Sequence, residues 1–270
     1  MGRAKDIIIK VIPPKLATEF VKKWHYSGKV VQNSQLHFGA FLDDALHGVM
    51  SFGPSLDKRK IQGLVRGTKW NEFIELNRMA FDDYLPRNSE SRCIAIAMKL
   101  LRKNAPHIKW VVSFADGAQC GDGTIYRASG FVLIKINENK TNWIFKEYVF
   151  SNVGLRTGRI DKEELIKRGA DPKLLQGSPA ESKIKAIGAK KIKGFQLSYL
   201  LFLDKSQKEN LTVPILPFSK IDEIGAGMYK GENISIQERK KAHEAKETKH
   251  PDTNREEGGS SPTRALKNTE

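Results

Sequence analysis

The chain has 270 residues, with 46 Lys and Arg against 31 Asp and Glu, a formal charge of +15 and 39% hydrophobic residues. No run approaches the ~20 apolar residues that span a bilayer, and the N-terminus MGRAKDIIIKVIPP lacks a signal-peptide core, so a non-membrane protein of the cytoplasm is expected. Two cysteines, Cys93 and Cys120, exclude a disulfide framework and a four-cysteine zinc site.

Residues 6–12 (DIIIKVI) read as a β-branched strand stopped by Pro13-Pro14. Leu16, Phe20 and Trp24 then recur at helical spacing and predict an amphipathic helix ending near His25-Tyr26-Ser27-Gly28, where glycine supplies a left-handed cap. Two strand-like runs, QLHFGAFL and LHGVMSFG, meet at Asp43-Asp44, a hairpin signal. The charged stretch 57–66 reads as an exposed connection, and 72–81 (EFIELNRMAF) as a central strand. After the polar loop DDYLPRNSESR, Ile94, Ile96, Met98, Leu100 and Leu101 mark a helix opened by Ser89 or Ser91 and closed near Asn104 and Pro106. IKWVVSFA (108–115) is a buried strand, followed by the glycine-rich loop DGAQCGDG, a short helix TIYRAS and the strand FVLIKIN. Residues 151–186 form a basic helical piece, which FQLSYLLFLD (195–204) follows as a strand; the basic piece therefore reads as an insertion between two strands of one sheet.

The expected organisation is an α/β (α+β) catalytic domain over 1–204, with its basic insertion at 151–186. A Pro- and Gly-punctuated arm at 205–231 packs on it, and a polar, disordered tail occupies 232–270. Charge follows these boundaries. Residues 1–150 carry 23 cations and 14 anions, 151–200 carry 11 and 5, and the remaining chain is neutral. The excess points to a polyanion such as nucleic acid, and it sits on the folded part.

Several residues can carry chemistry. The loop Arg87–Arg92 lies between a strand and a helix start, where free amides and the helix dipole favour phosphate; no GxGxxG or Walker pattern accompanies it. His25-Tyr26-Ser27 gathers a base, a phenol and a hydroxyl at a helix end, or else a histidine serving the helix dipole. Asp116 ends a buried strand ten residues before Tyr126, where open α/β sheets collect ligands, though a turn aspartate fits as well. On the 72–81 strand, period two puts Glu75 and Asn77 on one face and Arg78 on the other, which suggests a polar cleft. Cys120 is a nucleophile, a ligand or a spectator, and no His, Cys and Asp spacing matches a zinc site.

The runs WHYSGKVVQNSQLHFGAFL, FGPSLDKRK, WNEFIELNRMAFDDYLPRNSESR and FADGAQCGDGTIYRASGF resemble the Mom family of phage DNA adenine-modification proteins, and the similarity extends over roughly residues 16–231. The resemblance implies a GNAT-like acyltransferase fold, with a central mixed, mostly antiparallel sheet flanked by helices. It also implies an acetyl-CoA-dependent conversion of the adenine N6 amine in DNA to an N6-methylcarbamoyl-type group, which shields phage DNA from restriction in the host cytoplasm. By the matching motifs, His25, Tyr26, Asp116 and Tyr126 are assigned to catalysis. Arg78, Arg87, Asn88, Ser89, Ser91 and Arg92 are assigned to coenzyme A. The loop departs from the usual glycine-rich form. Iron is associated with the family, and the sequence names no ligands for it.

Either His25 or Asp116 is then the base, and Tyr126 the acid that meets the departing thiolate. The partner is double-stranded DNA with a flipped adenine, stacked on Tyr26, because N6 is inaccessible to a bulky cofactor inside a duplex. Lys58, Arg59, Lys60, Lys190, Lys191 and Lys193 are assigned to its phosphates. The oligomeric state, a homodimer included, stays open. Two alternatives stand beside this reading, namely an ordinary N-acetyltransferase of a protein or small-molecule amine, and a DNA-binding protein that has lost catalysis.

Overall fold

A computed structural model of the protein describes residues 3–157, 159–176 and 180–247. Strand β1 (Ile8–Val11) leads through Pro13 into helix α1 (Pro14–Trp24), where proline at the first helical position supplies the fixed φ a helix start needs. The stripe of α1 that meets the sheet is Ala17, Phe20 and Val21, whereas Leu16 and Trp24 stay over a third exposed. The predicted stripe was therefore displaced by one position, because the small Ala17 lets the helix lie close to Val49 and Ala80.

Strands β2 (Leu36–Leu42) and β3 (Ala45–Gly53) form the expected hairpin. Asp43 and Asp44 take φ of 50° and 60°, the left-handed pair that a two-residue turn between twisted strands requires. Helix α2 (Lys58–Gln62) occupies the charged connection before β4 (Phe73–Phe81). Helix α3 (Ser89–Asn104) follows, buried through Cys93, Ile94, Ala97, Met98 and Leu101. Its cap is Asn88 in the left-handed conformation at φ 65°, and Ser89 is the first helical residue.

Strand β5 (Trp110–Gly117), helix α4 (Thr124–Ala128) and strand β6 (Val132–Glu138) come next. An excursion then carries β7 (Asn142–Phe145), β8 (Tyr148–Ser151), α5 (Asn152–Thr157), α6 (Arg159–Lys167), α7 (Ala180–Ala186) and β9 (Lys190–Lys191). The chain returns as β10 (Phe195–Phe202), followed by α8 (Ser219–Glu223), β11 (Met228–Tyr229), β12 (Glu232–Asn233) and α9 (Ile236–Glu247).

Seven strands make one sheet in the order β1-β2-β3-β4-β5-β10-β6. Every neighbouring pair is antiparallel except β4 and β5. That pair is in register only from Phe73↔Trp110 to Leu76↔Ser113, after which β4 continues along β3 and β5 along β10. The two central strands thus part beyond Leu76 and Ser113, and a slot opens in the middle of the sheet. Below it, Trp110 stacks on Phe73 at 4.5 Å and donates its indole N–H to Thr68 Oγ1, within a core that includes Val65, Val112, Ile134 and Leu200.

The excursion lies between β6 and β10, which pair with each other, so it is an insertion within one sheet. It is larger than the basic piece at 151–186, because its own three-stranded sheet, β8-β7-β9, begins at Asn142 and closes at Lys191. Trp143, Phe150, Leu155, Leu165, Leu175 and Ile184 form its separate core. The arm at 205–231 belongs to the same compact unit as the sheet, which runs to Ser235. The tail expected to lack structure from residue 232 instead pairs Glu232–Asn233 with β11 and forms α9, while residues 248–270 lie outside the described part.

Candidate active site

The slot gathers side chains from four elements. After α1, the backbone turns at His25 to Gly28, where Gly28 N–H donates to His25 O at 2.8 Å with Gly28 at φ 59°. This turn carries Tyr26 across to β5, where its hydroxyl donates to Asp116 Oδ2 at 3.1 Å. The Tyr26 ring is half exposed and lies 4.4 Å from the His25 ring. Enclosure of the phenol and the adjacent carboxylate raise its pKa, so Tyr26 remains a proton donor.

Asp116 accepts five hydrogen bonds. Oδ1 takes Ala118 N–H at 3.1 Å and Gln196 Nε2 at 2.8 Å, while Oδ2 takes Tyr26 Oη, Gln119 Nε2 at 2.5 Å and Asn142 Nδ2 at 3.3 Å. Its backbone carbonyl also receives the amides of Gln119, Cys120 and Gly121, which closes the glycine-rich turn. With every lone-pair direction engaged, this carboxylate is built to hold Tyr26 and the turn, and taking a proton from substrate requires one of its donors to leave.

His25 Nδ1 accepts the Ser27 amide at 3.2 Å and pairs with Ser27 Oγ at 2.8 Å, which leaves Nε2 for substrate. Burial, and then the charge of Arg78, push its pKa down to about 4, so the ring is neutral at neutral pH. Arg78 itself is held by its backbone neighbours, with Nε on Lys29 O and a terminal nitrogen on Asn77 O, both at 2.8 Å.

Strand β4 departs from simple alternation. Ser51 pairs with Arg78 and Phe52 with Leu76, so Asn77 is an extra residue in a β-bulge. The bulge reverses the alternation beyond it and brings Glu75 and Arg78 into electrostatic contact, so the expected pairing of Glu75 with Asn77 opposite Arg78 does not hold. Burial raises the Glu75 pKa, while Ser55 and Arg78 partly offset the rise. The displaced Asn77 accepts the Ser34 hydroxyl on its side-chain Oδ1 at 2.9 Å, and its Nδ2 is buried without a partner.

Tyr126 comes from α4 and is buried, with its hydroxyl near Ser113 and within the field of Glu75, Arg78 and Cys120. Burial raises its pKa and keeps the phenol protonated. Its helix is fixed by fully buried Asp122, which pairs with Arg127 at 3.1 Å and accepts Thr124 Oγ1 and the Met228 amide. Tyr199 donates to Asp122 O and packs against Gly123, where any Cβ would strike the tyrosine ring at 2.4 Å. Cys120 is an unactivated thiol, since burial and then Asp116 push its pKa up.

His25, Tyr26, Arg78, Asp116 and Tyr126 are therefore gathered at the slot. Glu75 joins them. The sequence marks Glu75 as a cleft residue without assigning it a role. On β5, Phe114 lies just past the last β4–β5 pair and is 40% exposed on an interior strand, a property with no local sequence signal.

The loop before α3 presents itself differently from the expectation. Ser89 is fully buried and donates to Pro86 O, Ser91 Oγ donates to Asn88 O at 3.2 Å, and Arg92 donates to Lys5 O at 3.1 Å. These side chains close their own turns, so an anion at this helix start is met chiefly by backbone amides and the helix dipole. Asn88 is the left-handed residue that turns the chain into the helix. Among the described residues no group of three or more His, Cys, Asp or Glu side chains could hold a metal ion. With the oxygens of Asp116 already engaged, the slot residues do not assemble a ligand set for iron.

A model of the Mom protein family matches residues 6–220. Methylcarbamoylase mom of Escherichia phage Mu is 39% identical over 137 residues, which cover 50% of this chain and 56% of that protein; the chain spans about half the length of the curated relative it matches. Among solved structures, the spermidine/spermine N-acetyltransferase SpeG from Vibrio cholerae aligns with a TM-score of 0.43 at 6% identity, over 77% of this chain and 99% of that one. The ribosomal-protein-S18-alanine N-acetyltransferase from Escherichia coli aligns with a TM-score of 0.40 at 9% identity, over 73% and 94%. The sheet of this chain is mixed and mostly antiparallel, with one parallel pair splayed at its centre.

Proposed function

The chain belongs to the Mom protein family, and from that membership and the side chains gathered at the slot we propose that it modifies adenine in DNA. In this reading it uses acetyl-CoA to convert the N6 amine to a methylcarbamoyl-type group and so protects phage DNA from host restriction. The observation that carries the reading is the meeting of Tyr26, Glu75, Arg78, Asp116 and Tyr126 where β4 and β5 part.

Coenzyme A would be held through its pyrophosphate at the first turn of α3, where the amides of Glu90 and Ser91 and the helix dipole favour negative charge. Arg87 and Arg92 add positive charge nearby. Bound there, acetyl-CoA supplies the acyl carbon. Adenine N6 is conjugated with its ring and needs proton removal to attack such a carbon. Glu75 suits this role better than Asp116, since burial raises its proton affinity toward the working pH and its carboxyl is not committed to five donors. His25, with a pKa near 4, is a weaker base and orients the substrate through Nε2. Tyr126, held protonated, hands a proton to the leaving thiolate as the N6–C bond forms and the C–S bond breaks; that step gives an N6-acyl adenine, and the methylcarbamoyl-type product requires a further step with a nitrogen donor that acetyl-CoA does not supply. Tyr26 keeps its hydroxyl on Asp116 and offers its half-exposed ring to a flipped base.

Nucleosides from DNA co-expressed with the protein, analysed by mass spectrometry, should contain a mass-shifted deoxyadenosine that disappears with Tyr126→Phe. Unmodified deoxyadenosine from the wild type overturns the reading. The GNAT-like sheet favours a second reading, an N-acetyltransferase of a protein or small-molecule amine. That reading expects acetyl-CoA turnover with an amine and no DNA.

A further inference from the structure

The connection between β3 and β4 is pinned down along one side and bare on the other. Ser55 is buried beside the Glu75 carboxyl, and Asn33 Nδ2 holds Pro54 O at 2.7 Å. Ile61, Leu64 and Val65 pack into the core below the slot, Val65 pairs with Leu211, and Arg66 N–H donates to Asn210 O at 2.8 Å. Between these anchors Leu56 is 83% exposed, the most exposed large apolar side chain among the described residues. A single exposed leucine is ordinary. This one follows the buried Ser55 and precedes α2, three residues after Gly53 pairs with Glu75 at the slot.

Its neighbours carry charge of one sign. Residues 56–71 contain Lys58, Arg59, Lys60, Arg66 and Lys69 against Asp57 alone. Lys58, two residues after Leu56, lies 4.5 Å over the half-exposed ring of Trp70 and donates to Asn71 Oδ1 at 3.2 Å, so its ammonium is held at Trp70. An exposed apolar tip followed directly by a cationic helix suits a partner with a charged backbone and apolar faces stacked inside it, which is the cross-section of duplex DNA.

We propose that Leu56 is a wedge that enters the base stack and fills the space left by the extruded adenine, while Lys58, Arg59 and Lys60 hold the phosphates beside it. This rests on the DNA-modifying reading and adds how the duplex is opened. A wedge lowers the cost of unstacking, so it matters when the target is paired and not when it is already free.

The test uses the purified full-length chain, acetyl-CoA, and the same DNA as duplex or as heat-denatured strands, with modified deoxyadenosine as the readout. Leu56→Ala should modify duplex about tenfold more slowly and single strands within about twofold of wild type. Leu56→Met, which keeps an apolar tip, should restore most of the duplex rate. Equal losses on both DNA forms, or no loss on duplex, overturn the wedge while leaving the DNA-modifying activity standing. A wild type inactive on both forms overturns that activity and the wedge with it.

Discussion

The slot and the insertion solve opposite problems with the same kinds of residue. Two aspartates make the contrast plain. Asp116 faces the slot and is surrounded by five donors from its own turn, from α1's end, from β10 and from the insertion. Asp161 sits in the insertion, nearly buried, and receives Lys29 Nζ at 2.7 Å and Tyr148 Oη at 2.6 Å. The first gathers polar groups from several elements around open space, and the second ties a closed core to its neighbour. The backbone carbonyl of Lys29 also accepts from Arg78, so the insertion reaches the slot through Lys29 as well as through Asn142. A sheet that opens at its centre leaves polar atoms such as Asn77 Nδ2 unpartnered, and the packing that steadies it comes from elements added around it.

The largest effect that separates the two regions is expected at Asp116. Asp116→Ala leaves several donors without an acceptor and should cost about 2–3 kcal/mol, read as a lower urea midpoint, with modification of adenine abolished. Asp161→Ala leaves Lys29, whose side chain is about a third exposed and can reach water, so a loss of about 1–2 kcal/mol and a partial loss of modification are expected. A greater loss of activity at Asp161 than at Asp116 breaks the distinction between a residue that builds the slot and one that braces it.

Acid sharpens the same contrast through His25. Its pKa in the folded protein is about 4, below the usual 6.5, so the unfolded chain binds the proton first as pH falls. The stability associated with neutral His25 is complete above pH 6.5 and declines until the folded ring also protonates near pH 4, by about 3 kcal/mol in all. Urea unfolding at pH 7, 6, 5 and 4 should show this decline in the wild type and a shallower one in His25→Asn. Parallel curves for the two proteins refute the assignment of that slope to the slot.

Local chemistry in the sequence foretold the parts of the fold that depend on neighbours along the chain. Asp43-Asp44 announced its hairpin because such residues tolerate left-handed backbone, whereas Pro14, read as the stop of the first strand, is itself the first residue of α1. The turn between β7 and β8 went unseen because it uses Lys146 and Glu147, at φ 44° and 67°, which composition does not mark as turn formers. Without that hairpin the insertion was dated from residue 151, although Trp143 already belongs to its core. The candidate site was legible as His25, Tyr26, Arg78, Asp116 and Tyr126 individually. Their meeting was not, since it follows from the bulge at Asn77 and from the parting of β4 and β5 after Leu76, both set by pairing between strands more than 20 residues apart. The α3 loop misled for the converse reason. Its serines look like ligands in sequence, and short-range bonds to Pro86 and Asn88 consume them.

The smallest expected effect concerns the insertion's surface. Residues 139–194 carry 13 cations against 6 acids, and Lys190, Lys191 and Lys193 lie exposed at the edge of its sheet, with Lys191 5.3 Å over Trp143. If this face meets phosphates, replacing the three lysines by glutamine should weaken DNA binding at low salt. The slope of log K against log salt should flatten by about one for each phosphate that is no longer neutralised. Folding stability should change by only about 0.5 kcal/mol, because exposed lysines away from buried partners contribute little. The charge-neutral end of the chain supplies the control. Ending the chain after Ser235 keeps the β11–β12 pair intact and removes no net positive charge from the insertion, so affinity and salt slope should both be unchanged. A salt slope that falls with the truncation and not with the three lysines would place the phosphate-binding cations beyond Ser235 and leave the insertion as a brace for Lys29.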